Sequence, residues 1–258
     1  MRCVAFVYDF PHAKSWHGLA HLAACGGFSD LLAIGAPHIE LRLDGRMARW
    51  KARRVPVPDT ATICEWAGIE YVVMPHDDPG CVRRLTEFRP DVGVIFGARV
   101  LTDAVLTTAG CPILNVHPGV LPRNRGLDAV PWAVHHGWPQ GATVHRVTSC
   151  LDGGPIYAIS VLESVEPDDS FVEITARIDA LQLSLVLHTL RAVSRADRPA
   201  EVQTSPGSYH SRYGSPESEL FRRLGAYCAD YDSALARWMS EEADLVRRLG
   251  PRFGLVVG

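Results

Sequence analysis

Asn115 and His117 stand two residues apart at the end of a short apolar run, Ile113–Leu114, in a chain of 258 residues. On extended backbone, residues i and i+2 point to the same side. An amide and an imidazole can therefore face one pocket from a strand's carboxyl end. That pair suits acyl transfer: the amide can donate to a developing oxyanion and the imidazole can move a proton. A carboxylate is the usual third member, and Asp152 supplies one in Leu151-Asp-Gly-Gly-Pro155. Taken singly, Asn115 or His117 could merely close backbone hydrogen bonds at a strand end, and Asp152-Gly-Gly could be only a hairpin turn. Together and in this order they point to chemistry.

The elements that must position them read as an α/β pattern. Arg2–Tyr8, Leu31–Gly35, Glu70–Met74 and Asp91–Phe96 are short apolar strands, and helical stretches fall between them at Ser15–Cys25, Thr60–Ala67 and Asp78–Phe88. Strands that are apolar throughout, rather than alternating, belong to a parallel sheet covered on both faces. A short helix over Thr102–Thr108 precedes the Ile113–Val116 strand. The loop after it is too rich in proline and glycine for a helix. Asp128–His136 reads as a helix with Pro131 near its first turn and Gly137 after its end. Strands at Thr143–Thr148 and Ile156–Leu162 flank the Asp152 loop. Asp169–Val193 is the longest helix, capped by Asp168 or Asp169, with Ile174, Ile178, Leu181 and Leu185 forming one buried stripe. The polar stretch Ser194–Pro206 leads to helices at Glu217–Tyr227 and Tyr231–Arg248. The expected fold is an open, mostly parallel, Rossmann-like sheet with helices on both faces. The expected division is a catalytic domain over residues 1–200 and a small helical appendage over 201–258.

Composition narrows the function. Hydrophobic content is 47%, charged content 21% and net charge -3, ordinary for a soluble globular protein and against a general nucleic-acid binder. No apolar run approaches the roughly 20 residues that span a bilayer, and no secretory signal pattern opens the chain. The seven cysteines are odd in number, scattered and without a CxxC, which fits a reducing cytoplasm and no disulfide framework. His12, His17 and His21 lie close together, the last two one helical turn apart, but no carboxylate or cysteine completes a metal set. No metal is expected. The basic run from Arg42 to Arg54 reads as a solvated connection, with a substrate phosphate or carboxylate as the sharper alternative.

Residues 91–163 resemble the folate-dependent formyltransferases, the family of the glycinamide ribonucleotide, methionyl-tRNA and sugar N-formyltransferases. The family pattern Asn-x-His-Pro-x-x-Leu-Pro-x-x-x-Gly stands here as Asn115-Val-His-Pro-Gly-Val-Leu-Pro-Arg-Asn-Arg-Gly126. The Asp-x-Gly loop stands as Asp152-Gly-Gly154. The donor-site segment stands as Gly97-Ala-Arg-Val-Leu101 at the family's usual distance before the asparagine. The resemblance implies a formyl donor, 10-formyltetrahydrofolate, and a small-molecule amine acceptor. It implies that Asn115 binds the oxyanion, that His117 polarises it or shuttles a proton, and that Asp152 orients His117 and helps to take the amine's proton. Gly97, Arg99, Val100 and Leu101 would cradle the pterin, with Val147, Thr148 and Leu151 as the opposite wall. Pro122, Arg123 and Arg125 belong to the loop beside the acceptor, and Arg125 before Gly126 is nearer the tRNA and sugar enzymes than the purine enzyme.

Departures from the family narrow the acceptor. Where the purine enzyme has a Gly- and Ser-rich phosphate loop, this chain has Asp9-Phe-Pro-His-Ala-Lys14, without the glycines that bring amides around a phosphate. The short tail and negative net charge weigh against tRNA, and no aldehyde-dehydrogenase or epimerase partner domain is seen. The expectation is a free-standing N-formyltransferase acting on an amino sugar nucleotide, an amino acid or a specialised intermediate. Tyr8, Asp9, His12, Arg125, Trp132 and, more loosely, Trp16 are its acceptor-pocket residues. The Tyr209–Pro216 segment is a candidate for the pocket wall or for a homodimer contact. A 10-formyltetrahydrofolate hydrolase and a non-catalytic folate-binding protein are the alternatives, and a different one-carbon donor remains a third.

Overall fold

The computed structural model describes residues 1–39, 56–193, 201–204, 207–214 and 216–253. The basic run Arg42–Arg54 and most of the polar stretch before residue 201 lie outside them. The strands are β1 (Arg2–Tyr8), β2 (Asp30–Ala36), β3 (Glu70–Val73), β4 (Val92–Ile95), β5 (Ile113–His117), β6 (Asn124–Gly126), β7 (Gly141–Arg146), β8 (Ile156–Val161) and β9 (Ser208–His210). The helices are α1 (Ala13–Cys25), α2 (Thr60–Ala67), α3 (Pro79–Phe88), α4 (Asp103–Ala109), α5 (Ala129–His136), α6 (Phe171–Val193), α7 (Glu217–Ala229), α8 (Tyr231–Glu241) and α9 (Ala243–Phe253).

Seven strands form one sheet in the order β3-β2-β1-β4-β5-β7-β8. β1 to β5 run parallel; β7 and β8 are antiparallel to their neighbours. The open, mostly parallel sheet expected from the sequence is the one observed. Alternate residues of each strand feed opposite layers. Cys3, Ala5, Val7, Val92, Val94, Leu114 and Val116 pack with Leu19 and Leu22 of α1 and with Leu185 and Val186 of α6. Val4, Phe6, Leu32, Ile34 and Ile113 pack with Leu85 of α3 and Val105 of α4 on the other face. The strands are apolar on both sides because both sides are covered.

Local chemistry moves several ends. α1 starts at Ala13, not Ser15: the His12 side chain caps it by accepting from the Ser15 N–H, and the buried Ser15 hydroxyl accepts from Tyr8 N–H instead. On the same helix, His21 Nδ1 is 2.7 Å from the His17 carbonyl. At α6 neither Asp168 nor Asp169 is the cap. Ser170 and Glu173 bond each other's backbone amides in a capping box, while Asp169 accepts from Arg177 and from Glu166 N–H. The single helix expected over Tyr231–Arg248 is two, α8 and α9, broken at Glu242.

The tail packs closely on the rest. Leu220, Leu224, Tyr227 and Tyr231 bury against Val130 and Val134 of α5 and Phe171, Ile174 and Ile178 of α6. Trp238, Leu245 and Leu249 cover Ile159 and Val161 of β8. No helix among the described residues is long and apolar enough to cross a membrane.

Candidate active site

β5 ends at the sheet's carboxyl edge and delivers Asn115 and His117. The antiparallel partner β7 places His145 directly opposite Asn115. The Asp152 loop then folds back from the β7–β8 turn. Four side chains from three elements, two of them on β5, thereby converge. Asn115 Nδ2 is 3.2 Å from His145 Nε2, His117 Nδ1 is 3.5 Å from Asp152 Oδ2, and His145 Nε2 is 3.4 Å from Asp152 Oδ1. His117, His145 and Asp152 are all buried, whereas Asn115 is half-buried and reaches a cavity.

Neighbouring groups dictate where the protons sit. His117 Nε2 lies 2.7 Å from the Asn124 carbonyl, which only accepts, so that nitrogen carries a proton. Its Nδ1 faces Asp152 at a distance beyond an ordinary hydrogen bond. Complete burial pushes the His117 imidazole below its usual value and outweighs the opposing pull of Asp152. The neutral form, with Nδ1 bare, matches that geometry. His145 Nδ1 lies 3.0 Å from the Arg146 carbonyl and likewise carries a proton. Its Nε2 then faces both the Asn115 amide, from which it accepts, and the Asp152 carboxylate. Burial alone would raise the Asp152 carboxyl; His145, His117 and the Gly126 N–H at 2.9 Å outweigh it and hold the group at about 2. Asp152 is an anion at neutral pH.

The loop carrying Asn124 and Gly126 is itself built in. Asn124 Nδ2 donates to Ala129 O, Thr143 Oγ1 donates to Gly119 O, and Thr143 Oγ1 accepts from Leu121 N–H. β6 pairs with β9 in a parallel two-stranded sheet. The sequence reading had only an irregular loop there.

The cavity beside Asn115 holds about 430 Å³ and is lined by the ends of β1 and β4, by Lys14, by Gly126–Val130 and by Thr175, Ile178 and Asp179 of α6. Of the expected acceptor residues, Tyr8 and His12 line it. Asp9 stands aside, accepting from the Tyr71 hydroxyl at 2.5 Å. Trp16 packs edge-on against Trp66. Arg125 turns to Gln203, Nη2 to Oε1 at 2.5 Å. Trp132 does not line the cavity: its indole N–H donates to Ser211 O and its ring stacks on His210.

The expected donor-side residues divide. Gly97 lines the first cavity, and a side chain there would meet the Tyr8 ring at 2.7 Å. Arg99 and Val100 are exposed, Leu101 is buried with Val147 packed on the same apolar cluster, and Leu151 is exposed. Val147 and Thr148 line a second cavity of about 320 Å³ with Leu106, Thr107, Arg146 and Pro155. His145, Thr143 and Gln203 were not singled out from sequence. Only the antiparallel register, which sequence does not give, sets His145 against Asn115. Among the described residues no three His, Cys, Asp or Glu are arranged to hold a metal.

An open sheet with an Asn–His–Asp set outside its carboxyl edge, the His and Asp buried and the Asn facing a cavity, makes an α/β domain suited to acyl transfer. Residues 70–190 match the family model described as formyl transferase. The chain is 30% identical to methionyl-tRNA formyltransferase of Thermobifida fusca (strain YX) over 174 residues, 66% of this chain and 56% of that one. It is 35% identical to phosphoribosylglycinamide formyltransferase of Escherichia coli (strain K12) over 106 residues, 39% of this chain and 48% of that one. The fold of a sugar N-formyltransferase from Shewanella sp FDAARGOS_354 superposes with a TM-score of 0.57 at 14% identity, covering 87% of this chain and 86% of that one. Over residues 70–190 in sequence, and in fold, the chain is similar to the formyltransferases. It spans about half or less of the length of the first curated relatives it matches, 37% to 56%.

Proposed function

We propose that the chain moves a formyl group from 10-formyltetrahydrofolate to the amine of a small molecule, such as an amino sugar nucleotide, an amino acid or a specialised-pathway intermediate. The convergence of Asn115, His117 and Asp152 beside a cavity at the sheet's edge carries this reading. The names of the relatives support the formyl chemistry and differ in acceptor.

The residues present fit the donor. Exposed Val100 and Leu151 and the cavity at Val147 and Thr148 give apolar surface and open space on the donor side, and Asn115 offers an amide beside the acceptor-side cavity. Bound there, the donor supplies an activated formyl carbon. Asn115 Nδ2 donates to the carbonyl oxygen as negative charge builds on it, a stabilisation that grows toward the transition state. Two proton movements accompany transfer, one off the attacking amine and one onto the departing nitrogen. His117 has a bare Nδ1 that can hold the first. Asp152 stabilises the resulting imidazolium without being protonated itself. The acceptor occupies the 430 Å³ cavity, against Tyr8, His12 and the turn Gly126–Asp128.

The test is release of tetrahydrofolate from 10-formyltetrahydrofolate, followed by absorbance with and without a panel of amines. Amine-dependent release that is absent in His117→Ala supports the transferase. Release without amine shows a hydrolase instead, and donor binding without release leaves a binding protein.

A further inference from the structure

We infer that Gln203 is a positioning residue that clamps the Asp152 loop in its working conformation. Asp152 is one of three described non-glycine residues at positive φ, +49°. Such a conformation persists only where its surroundings hold it. Gln203 supplies the hold: its Nε2 donates to Asp152 O at 2.9 Å and to Gly154 O at 2.6 Å. The other half of the amide is fixed by Arg125, whose Nε and Nη2 donate to Oε1 at 3.2 and 2.5 Å. A guanidinium only donates, so the amide's orientation is unambiguous: oxygen toward Arg125, nitrogen toward the two carbonyls. Both N–H groups and both lone pairs of Gln203 are engaged.

The segment bearing Gln203 is anchored on either side. Glu201 and Ile156 exchange both backbone hydrogen bonds at 2.7 Å. β9 pairs with β6, and Gly126 N–H in β6 donates to the Asp152 carboxylate. Backbones cross closely enough that a side chain at Gly126 would run into His210 O, and one at Gly207 into Pro122 O. The Asp152 backbone and its carboxylate are thus tied to one strap by two separate routes, with Gln203 closing the first.

The clamp rests on the reading of Asp152 as part of the catalytic set, so its test needs a readout that does not require turnover. Gln203→Glu keeps the size and the Arg125 contact but turns an oxygen toward two carbonyl oxygens. Gln203→Leu removes both contacts and serves if the first variant folds poorly. Misplacing a catalytic group by about 1 Å can cost up to about 10²-fold. The expected result is a kcat lower by about 10-fold or more, KM for donor and acceptor within about twofold, and faster amide exchange over residues 150–156 with residues 113–117 unchanged. Rates within about twofold of wild type together with unchanged exchange over 150–156 overturn the clamp, as does a uniform rise in exchange across the sheet. If wild type transfers no formyl group, the exchange comparison still decides the clamp while the functional reading falls by itself.

Discussion

Asn115 and His145 oppose each other across the antiparallel pair β5–β7, with Asn115 Nδ2 3.2 Å from His145 Nε2. One amide N–H of Asn115 is thereby fixed by the imidazole, which leaves the other to point elsewhere. Asn115→Ala is expected to lower kcat by about 10²–10³, the range for removing one oxyanion donor. His145→Phe, which leaves Asn115 in place but unheld, is expected to lower kcat by about 10-fold with KM little changed. Initial rates for the two variants check both, and a His145→Phe loss confined to KM would show that His145 does not orient the donor.

Asp152 titrates below its unfolded value, from 3.8 to about 2. The folded state therefore favours the anion, and the stability this contributes, about 2 kcal/mol, is full above pH 3.8 and is lost as the pH falls toward 2. Asp152→Asn is expected to abolish most turnover and to flatten the stability–pH curve in that window. Denaturant unfolding at a series of acid pH values measures it.

His117 titrates below the ordinary imidazole value of 6.5 because it is buried. The unfolded chain then binds a proton that the folded one does not, so stability falls as the pH drops below 6.5. His117→Gln is expected to reduce that slope. Unfolding midpoints between pH 7 and pH 5 for wild type and variant give the answer; an unchanged slope in the variant would assign it to other groups.

Gly126 holds a φ of +96° and lies against the His210 backbone. Gly126→Ala meets both obstacles, and β6 must part from β9. A loss of about 1–3 kcal/mol is expected, read from chemical denaturation, together with a fall in kcat because Gly126 N–H leaves the Asp152 carboxylate.

The parallel half of the sheet was legible because its strands are apolar on both faces, as Val4–Val7 and Val92–Ile95 show. Asn115, His117 and Asp152 were legible because their types and order are chemically uncommon. The strap was not. β9 has three residues, Ser208-Tyr-His210, and its pairing with β6 is set by backbone crossings rather than by hydrophobic period. Gln203 is one polar residue in a polar stretch, distinguished by the two carbonyls and the Arg125 guanidinium it meets. Trp132 looked like a pocket residue by its place after the active loop, but the helical turn rotates it toward His210.

The sheet order puts β1 beside β4, so the two halves of the fold meet at its centre. The cavity draws on Tyr8 at one end of the chain and Asp179 far along it, with Ile95–Ala98 and Asn115 between. No fragment of sequence carries a local precursor of this site. It comes into being only when distant strands have zipped together, a non-local event that sets the pace of folding in such topologies. Recovery of turnover during refolding should consequently lag the return of helical signal, making catalysis a reporter of the last long-range contacts to form.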